Sequence, residues 1–332
     1  MFYIDTLLWS VFCYISAWVG LISMLTYVLA IGIQQLSLRF PQNLKRKYGA
    51  EWALVTGSSS GIGKAIAEML AEQNINVVLV ALDDATLEAT FQELKQKYKG
   101  VEFRKVGVNL TAKDYGYMPA IIEATKDLSI NLLFNNAGYI STGLFADTEL
   151  ERLRCNLECN AGCAVPITHH FLTKMIEQKR KGYITFTSSA STYLPGPTAT
   201  LYSPSKAFLT NFATTLAAEN KDVGIDVTVV HPSPVNTNFY KNEGPKLDSL
   251  ATAQKAAAAP RNIALQLFAA AGRLTVWDQG TTCAVFRVVN KIIDFQIFTE
   301  IITRFAFVNG DHKKLSKSSR PAILPRRNNV QS

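Results

Sequence analysis

Tyr202 and Lys206 lie four residues apart in a stretch, ATLYSPSKAFL (residues 199–209), that otherwise looks like the start of a helix. Residues at positions i and i+4 share one face of a helix, with Cβ atoms about 5–6 Å apart. An ammonium beside a phenol stabilises the phenolate and lowers the pKa of the tyrosine from its usual value of about 10. The spacing therefore indicates a tyrosine that exchanges protons near neutral pH. A core aromatic beside a solvated lysine would give the same pattern, so other motifs must decide.

A glycine-rich loop connects a predicted strand to a predicted helix. The segment TGSSSGIGKAIAEML places Gly57, Gly61 and Gly63 directly after the strand-like run WALVT. Glycines at such a turn let the backbone approach the pyrophosphate of a dinucleotide, which rests on the helix N-terminus. A glycine-rich loop alone is weak evidence, but its place between a strand and a helix predicts a dinucleotide site.

Strand-like and helix-like segments alternate along the middle of the chain. Short apolar runs rich in Val and Ile are separated by helical patterns, and these runs are residues 52–56, 76–80, 102–108, 130–135, 183–188 and 225–230. This alternation predicts a parallel sheet covered on both faces by helices, which is a doubly wound α/β fold of the Rossmann type.

Several motifs, in order, resemble those of the short-chain dehydrogenase/reductase family over roughly residues 48–280. TGSSSGIG resembles the family's cofactor loop, and NNAG (135–138) follows the fourth predicted strand. Ser189 precedes Tyr202 by 13 residues, the family's spacing between its catalytic serine and tyrosine. HPSPVNT resembles the segment that holds the nicotinamide, with Ser233 where glycine is usual. The resemblance favours the catalytic interpretation of Tyr202 and Lys206.

The resemblance also implies a role for each catalytic position. Tyr202 gives a proton to a carbonyl oxygen as hydride reaches the carbon, or takes one in the reverse direction. Lys206 lowers the tyrosine pKa and bonds the nicotinamide ribose, Ser189 polarises the carbonyl, and Asn160 supports a proton relay through water. The implied cofactor contacts, besides Tyr202 and Lys206, are Gly57, Ser59, Gly61, Ile62, Gly63, Asn109, Asn136, Ala137, Gly138, Pro232, Val235 and Thr237. No residue is assigned to a metal.

The choice between the two nicotinamide cofactors is left open. Asn109 stands where the family often has an acidic residue, and its amide oxygen could accept a bond from the adenine amine. The end of the second strand carries Ala81 and Leu82 where NAD enzymes place Asp and NADP enzymes place Arg, with Asp83 nearby. The enzymes that the chain resembles usually reduce with NADPH, and the serines at 58–60 could bond a phosphate. We therefore favour NADP(H) and keep NAD(H) as the alternative.

The N-terminus predicts a membrane anchor over residues 1–38. No charged residue occurs from Thr6 to Leu38, and about 20 helical residues cross a hydrocarbon core of ~30 Å. A cleaved signal peptide or a buried helix would be the alternatives. Arg39, Lys45, Arg46 and Lys47 follow in a basic linker (residues 39–50), which predicts a cytosolic position for the rest of the chain.

Charge and cysteine content narrow the possible partners. The net charge of +8 comes from the two ends, because the region between residues 50 and 311 holds equal numbers of acidic and basic residues. A nucleic-acid partner is therefore not expected. Cys155, Cys159 and Cys163 recur every four residues, which favours small apolar packing of reduced thiols over a metal cluster.

Segments beyond the dehydrogenase domain (residues 51–280) predict further contacts. Residues 240–275 are expected to cover the substrate. Residues 281–310 form an apolar, amphipathic helical segment that would pack on the domain or lie in the membrane interface. Residues 311–332 are predicted to be a basic tail.

The combination of anchor, linker and C-terminal segment resembles the microsomal branch that includes 3-ketoacyl-CoA reductases and 17β-hydroxysteroid dehydrogenases. It implies a single-pass protein of the endoplasmic reticulum that reduces a carbonyl, or oxidises the alcohol, of a hydrophobic lipid, and that could form a homodimer. Acyl-CoA, sphingoid, steroid and retinoid substrates all remain open. The alternative is a catalytically silent cofactor-binding or scaffold protein on the same fold.

Overall fold

The computed structural model describes residues 2–40, 42–240, 245–255, 257–308 and 310–319. Parallel strands form one sheet in the order β3-β2-β1-β4-β5-β6-β7. The strands are β1 Trp52–Thr56, β2 Asn76–Ala81, β3 Phe103–Gly107, β4 Ile130–Asn135, β5 Gly182–Thr187, β6 Ile225–Pro232 and β7 Val276–Gln279. The strand order reverses between β1 and β4, so the predicted doubly wound fold is confirmed.

Helices cover both faces of the sheet. The helices are α1 Phe2–Arg39, α2 Leu44–Tyr48, α3 Gly61–Glu72, α4 Ala85–Lys97, α5 Met118–Thr125, α6 Leu150–Leu157, α7 Ala164–Glu177, α8 Tyr202–Glu219, α9 Asp248–Gln254, α10 Pro260–Ala270, α11 Gly280–Ile292, α12 Phe295–Phe305 and α13 Gly310–Ser319. One core lies under α2, α3, α4 and α10, and the other under α5, α7 and α8. Every residue of β1, β4 and β5 is buried, as expected for strands covered on both faces.

The predicted basic linker is partly an element of the fold. Pro41 lies outside the described residues, but α2 follows, and Leu44 and Tyr48 are buried. The Tyr48 ring stacks on Tyr183 at 5.6 Å between centroids, and its hydroxyl donates to Asp226 at 2.8 Å. Residues 44–48 therefore anchor the chain to the sheet and do not act as a free connector.

The predicted substrate-covering segment is also only partly correct. Residues 241–244 and 256 lie outside the described residues, and α9 borders the cleft through Leu250. Helix α10, in contrast, packs against α3 and the sheet, with Ile263, Ala264 and Leu267 fully buried. The segment 260–270 is therefore part of the core.

Helix α1 is apolar and long. Leu8–Arg39 has a mean hydropathy of 1.9 in its most apolar window, and none of that window is buried. By length and composition it could cross a membrane. At the other end of the chain, residues 311–319 of the predicted basic tail belong to α13, which begins at Gly310. Residues 320–332 lie outside the described residues.

Candidate active site

The carboxyl ends of the central strands open into a cleft of about 670 Å³. Such an edge is where doubly wound sheets hold their ligands. The predicted residues that line this cleft are Gly57, Gly61, Ile62, Asn136, Ala137, Gly138, Ser189, Tyr202, Lys206, Pro232, Val235 and Thr237. The fold thus brings together segments that are up to 180 positions apart in the sequence.

The glycine loop after β1 has the backbone that a dinucleotide site needs. Gly57 and Gly61 have φ of +63° and +57°, a region that favours glycine. A Cβ at Gly63 would overlap the carbonyl oxygen of Gly57 and lie 2.8 Å from Asn136 Nδ2. Ser60, at the N-cap of α3, makes no side-chain cap bond, and the first turn has no acidic residue. The start of α3 therefore presents N–H groups suited to a phosphate.

Asn136 ties three strand ends together at the base of the cleft. Its Nδ2 donates to the carbonyl oxygens of Thr56 and Gly57 at 3.2 and 3.3 Å. Its Oδ1 accepts from Thr187 Oγ1 at 3.1 Å, and the Thr56 hydroxyl accepts from the backbone N–H of Asn136 and of Ala137. The NNAG segment is thereby fixed against the glycine loop.

Lys206 is a buried cation beside Tyr202. Its side chain is enclosed, its Nζ donates to the Thr187 carbonyl oxygen at 2.9 Å, and Nζ lies 5.8 Å from the Tyr202 ring centroid. Burial lowers the pKa of Lys206 to about 8. Phe239 also contacts Tyr202, with the two ring centroids 5.5 Å apart. The predicted i, i+4 pair on α8 is therefore present at the cleft.

Ser189 follows β5 and faces the same cleft. Its Oγ accepts a bond from the Ser191 N–H at 3.2 Å, which orients the hydroxyl. The Ser191 hydroxyl oxygen is buried, lines the cleft and has no hydrogen-bond partner among the described residues. Ser191 was not predicted as a site residue, because only its place two residues after Ser189 could have indicated that it lines the cleft.

Asn160 lies close to the loop that follows Gly138. It lies in a π turn, Glu158–Gly162, between α6 and α7, and is buried. Its Oδ1 accepts from the Tyr139 N–H at 2.7 Å and its Nδ2 donates to the Tyr139 carbonyl at 2.9 Å. The amide therefore holds the loop after Gly138, and a relay role through this residue stays a prediction.

Three predicted cofactor residues lie outside the cleft lining. Gly63 acts through packing, as described above. Ser59 uses its carbonyl to accept from Thr90 Oγ1 at 2.7 Å, and Ser60 lines the cleft in its place. Asn109 Oδ1 already accepts two bonds, from the N–H and hydroxyl of Thr111. Because an amide oxygen has two lone pairs, the predicted bond from the adenine amine to this atom does not fit.

A buried polar cluster supports the site from behind. Asp278 Oδ1 lies 2.7 Å from His231 Nδ1 and accepts from the Tyr193 hydroxyl at 2.9 Å. Arg287 pairs with the same carboxylate. Burial opposes ionisation of Asp278, but His231 and Arg287 outweigh it, so the pKa of Asp278 is held below its usual range. His231 Nε2 lies 3.0 Å from Thr210 Oγ1, one turn after Lys206.

This cluster contacts or adjoins each of the candidate catalytic segments. Tyr193 ends the turn after Ser189, His231 directly precedes the Pro232 segment, and Thr210 Oγ1 donates to the Lys206 carbonyl at 3.0 Å. Cys283 Sγ also lies 3.3 Å from Asp278 Oδ1, so the set contains ligand types that a metal could use. The Asp278 oxygens are, however, already paired with His231 and Arg287. Sequence reasoning found no role for Asp278 or Arg287.

The cysteine stripe lies away from the cleft lining. Cys163 is buried in the core and burial raises the pKa of its thiol. Burial likewise raises the pKa of Cys159 to about 12. Cys163 is therefore a protonated thiol packed in the core, as predicted, whereas Cys155 and Cys159 are only half-buried.

Comparison with known proteins gives one family match. The family model described as short chain dehydrogenase matches residues 51–248. A very-long-chain 3-oxoacyl-CoA reductase of Coprinopsis cinerea is 34% identical over 212 residues, covering 62% of this chain and 60% of that protein. The inactive hydroxysteroid dehydrogenase-like protein 1 of Homo sapiens is 33% identical over 199 residues, covering 59% of each. The chain therefore spans about three fifths of the length of these relatives.

Solved structures share the architecture. A 7beta-hydroxysteroid dehydrogenase superposes with a TM-score of 0.67 at 25% identity, covering 75% of this chain and 95% of that one. L-sorbose reductase of Gluconobacter frateurii, complexed with NADPH and L-sorbose, gives a TM-score of 0.59 at 27% identity, covering 69% and 95%.

Proposed function

Because the chain belongs to the short-chain dehydrogenase/reductase family, we propose that it is an NAD(P)(H)-dependent oxidoreductase acting on the carbonyl of a hydrophobic lipid, or on the corresponding alcohol. The single observation that carries the proposal is the cleft in which Ser189, Tyr202 and Lys206 lie beside the glycine loop. Burial of Lys206 disfavours its charged form, and proton transfer at Tyr202 would give a buried lysine beside that tyrosine a function.

Each of the site residues has its own role in the proposed carbonyl reduction. The glycine loop and the start of α3 would hold the pyrophosphate, and the bound cofactor would supply hydride. Ser189 donates a hydrogen bond to the carbonyl oxygen, and Tyr202 gives that oxygen a proton. Lys206, protonated below about pH 8, stabilises the phenolate that remains on Tyr202. In the reverse direction Tyr202 takes the proton from the alcohol.

The substrate class we favour is a long-chain 3-oxoacyl-CoA. The cleft wall beyond Tyr202 carries apolar side chains that suit an acyl chain, among them Leu194, Phe239, Leu250 and Phe286. The 3-oxoacyl-CoA reductases among the relatives support the same class. Steroid, sphingoid and retinoid carbonyls are the rival substrates, and a 17-beta-hydroxysteroid dehydrogenase type 3 of Mus musculus is also a relative.

A chain-length series tests the substrate. The full chain in lipid vesicles is given reduced cofactor and 3-oxoacyl-CoAs of short, medium and very long chain, with a 17-oxosteroid as the competing class. We expect kcat/KM to rise with acyl length and to exceed that for the steroid. A preference for the steroid, or no dependence on chain length, would contradict this assignment.

The cofactor we favour is NADP(H). Leu82 is exposed at the end of β2 and offers no carboxylate to a ribose 2′-hydroxyl. Asp84 is turned back to cap α4, accepting from the Leu87 N–H at 2.9 Å. Ser58 is buried against Val80 and cannot bond a phosphate as first expected, whereas Ser60 lines the cleft. A kcat/KM that favours NADH would contradict the choice.

A catalytically silent protein is the second candidate. The names of two relatives, in Gallus gallus and Homo sapiens, mark them as hydroxysteroid dehydrogenase-like, the human one as inactive. On this alternative the chain would bind a nicotinamide cofactor without turnover. Cofactor binding with no reduction of any carbonyl in the panel above would favour it over the enzyme.

The protein is further proposed to be a single-pass protein of the endoplasmic reticulum with its catalytic domain in the cytosol. The apolar helix α1 and the basic residues after it support this orientation. Asn109 begins the glycosylation pattern NLT, and it is exposed. On intact microsomes we expect an unmodified Asn109 and a protease-accessible domain. A glycan on Asn109 would show that the domain faces the lumen, which would contradict the proposed orientation. A homodimer stays a prediction.

A further inference from the structure

Helix α1 has two parts that meet near Ser23. All described side chains from Leu8 to Ile22 are exposed. From there on, the less exposed positions recur every three or four residues, and they are Ser23, Tyr27, Ala30, Gln34 and Ser37. This spacing places them on one stripe of the helix. Residues 23–39 therefore lie against the domain, while the preceding residues project away from it.

Contacts with three side chains fix the second part of α1. Arg273 donates to the Ser37 carbonyl at 3.1 Å. The Arg287 guanidinium lies 5.4 Å from the Tyr27 ring centroid. Lys291 Nζ donates to Ser23 Oγ at 2.9 Å. A step of four residues forward along α11 matches a step of four residues back along α1, so the two helices run antiparallel.

The length of α1 locates the membrane surface. A helix of 38 residues is about 57 Å long at 1.5 Å per residue, almost twice the hydrocarbon thickness of about 30 Å. Residues 2–22, which precede the contacts with the domain along the helix, extend about 31 Å. That length is enough to cross the bilayer. The cations Arg287 and Lys291, which contact α1 at Tyr27 and Ser23, would be costly in hydrocarbon, so we place the surface nearest the domain at about Ser23.

The end of α11 lies at the proposed membrane surface, and α12 follows it directly in the chain. Lys291 contacts Ser23, and the next residue, Ile292, is 76% exposed. No residue of α12 is buried. Its exposed apolar side chains are Phe295, Ile297, Ile301 and Phe305. Its polar side chains are Gln296, Thr299, Glu300, Thr303 and Arg304. On a helix of 3.6 residues per turn these two sets occupy opposite sides.

We propose that the apolar side of α12 lies in the interface of the same bilayer that α1 crosses, as a second attachment. The occupant is lipid because the α12 surface continues from the proposed membrane helix through the Lys291–Ser23 contact. An amphipathic helix with one apolar and one charged side is the form that binds in the interfacial plane. The inference rests on the membrane attachment proposed above, but not on any turnover.

This attachment gives the cleft a wall next to the lipid. Thr282 and Phe286 line the cleft, and Arg287, the next residue, contacts Tyr27 of α1. A hydrophobic substrate dissolved in the bilayer would therefore reach the cleft along α11. Asp278, which pairs with Arg287, links the same helix to the catalytic segments.

A scan with an environment-sensitive dye tests the proposal on the full chain. Cys13, Cys155 and Cys159 are replaced by serine, and single cysteines are placed by Ile297→Cys and Ile301→Cys on the apolar side and by Gln296→Cys and Thr303→Cys on the polar side. Each variant is labelled with NBD in phosphatidylcholine–phosphatidylserine vesicles. We expect a nitroxide lipid to quench the labels at 297 and 301 several-fold more than those at 296 and 303.

A label at Ser16→Cys, in the free part of α1, separates the possible failures. If this label is quenched by the lipid nitroxide but all four α12 labels are reached by a water-soluble quencher, the second attachment is refuted and the anchor stands. Labels at 297 and 301 shielded from both quenchers, in a manner that depends on the protein-to-lipid ratio, would show a second copy and also refute it. A Ser16 label in water would refute both attachments.

Discussion

Replacing Lys206 by methionine should stabilise the cofactor-free protein while abolishing turnover. Lys206 is 2% exposed, and burial lowers its pKa from 10.5 to about 8. At 1.36 kcal/mol per pH unit, that difference costs the folded state about 3 kcal/mol whenever the lysine is protonated. The substitution also removes the hydrogen bond to the Thr187 carbonyl, and this loss offsets about 1 kcal/mol of the expected stabilisation. We therefore expect Lys206→Met to be more stable by about 2 kcal/mol near neutral pH.

The pH dependence gives the sign of the effect. Below about pH 8 the lysine is protonated in both the folded and the unfolded protein, and the burial penalty is fully present. Between about pH 8 and 10.5 the unfolded chain holds the proton and the folded protein does not, so the wild type gains stability as pH rises. The advantage of Lys206→Met should shrink over this range by about 1.4 kcal/mol per pH unit.

Urea unfolding of the full chain in detergent micelles, without cofactor, measures both quantities at neutral and alkaline pH. Lys99→Met is the matched control, because Lys99 is exposed, and it should change neither the stability nor its pH dependence. A Lys206→Met protein that is less stable than the wild type at neutral pH would refute the reasoning. A stability difference between Lys206→Met and the wild type that stays constant as pH rises would also refute it.

Three further substitutions test other parts of the site. Gly63→Ala should weaken binding of the reduced cofactor at least tenfold in a fluorescence titration, because its Cβ would overlap the glycine loop, whereas Gly100→Ala, with no atom within 4 Å of an added Cβ, should bind normally. Asp278→Asn should lower the free energy of unfolding by about 1–3 kcal/mol, since it removes the carboxylate that bonds His231, Tyr193 and the partly buried Arg287, and an unchanged urea midpoint would contradict a stabilising role of these contacts. Leu82→Arg should raise the NADPH-to-NADH ratio of kcat/KM, because a guanidinium pairs with the 2′-phosphate, and an unchanged ratio would remove position 82 from the cofactor site.

Strands of the sheet centre are predictable because they are buried on both faces. WALVT and INLLFN are apolar almost throughout, and every residue in them is buried. The edge strand β7 was not predicted, because its sequence, VWDQ, alternates between half-buried and buried positions and contains a charge. Trp277 is the one strong packing residue in it, and four residues are too few to show a period.

The position of a helix in the fold, and the residues that meet around the site, depend on tertiary packing as well as on the local sequence pattern. The sequence of α10 has an apolar side that would suit either a lid over the cleft or a core helix, and only its contact with α3 settles the choice. The candidate catalytic positions Ser189, Tyr202 and Lys206 could be predicted because they match the spacing of the family's motif, and the structure brings them to one cleft. The cluster around Asp278 has no such spacing, since its members come from separate elements that meet only in the fold.

The most direct test of the central claim is single-turnover oxidation of NADPH by the full chain in vesicles with a very-long-chain 3-oxoacyl-CoA, comparing the wild type with Tyr202→Phe. The phenylalanine keeps the ring and its packing on Phe239, and removes only the proton donor. We expect the hydride-transfer rate to fall by about 10²- to 10⁴-fold, with the affinity for NADPH unchanged. A Tyr202→Phe protein that retains more than about a tenth of the wild-type rate would contradict the assignment of Tyr202 as the proton donor.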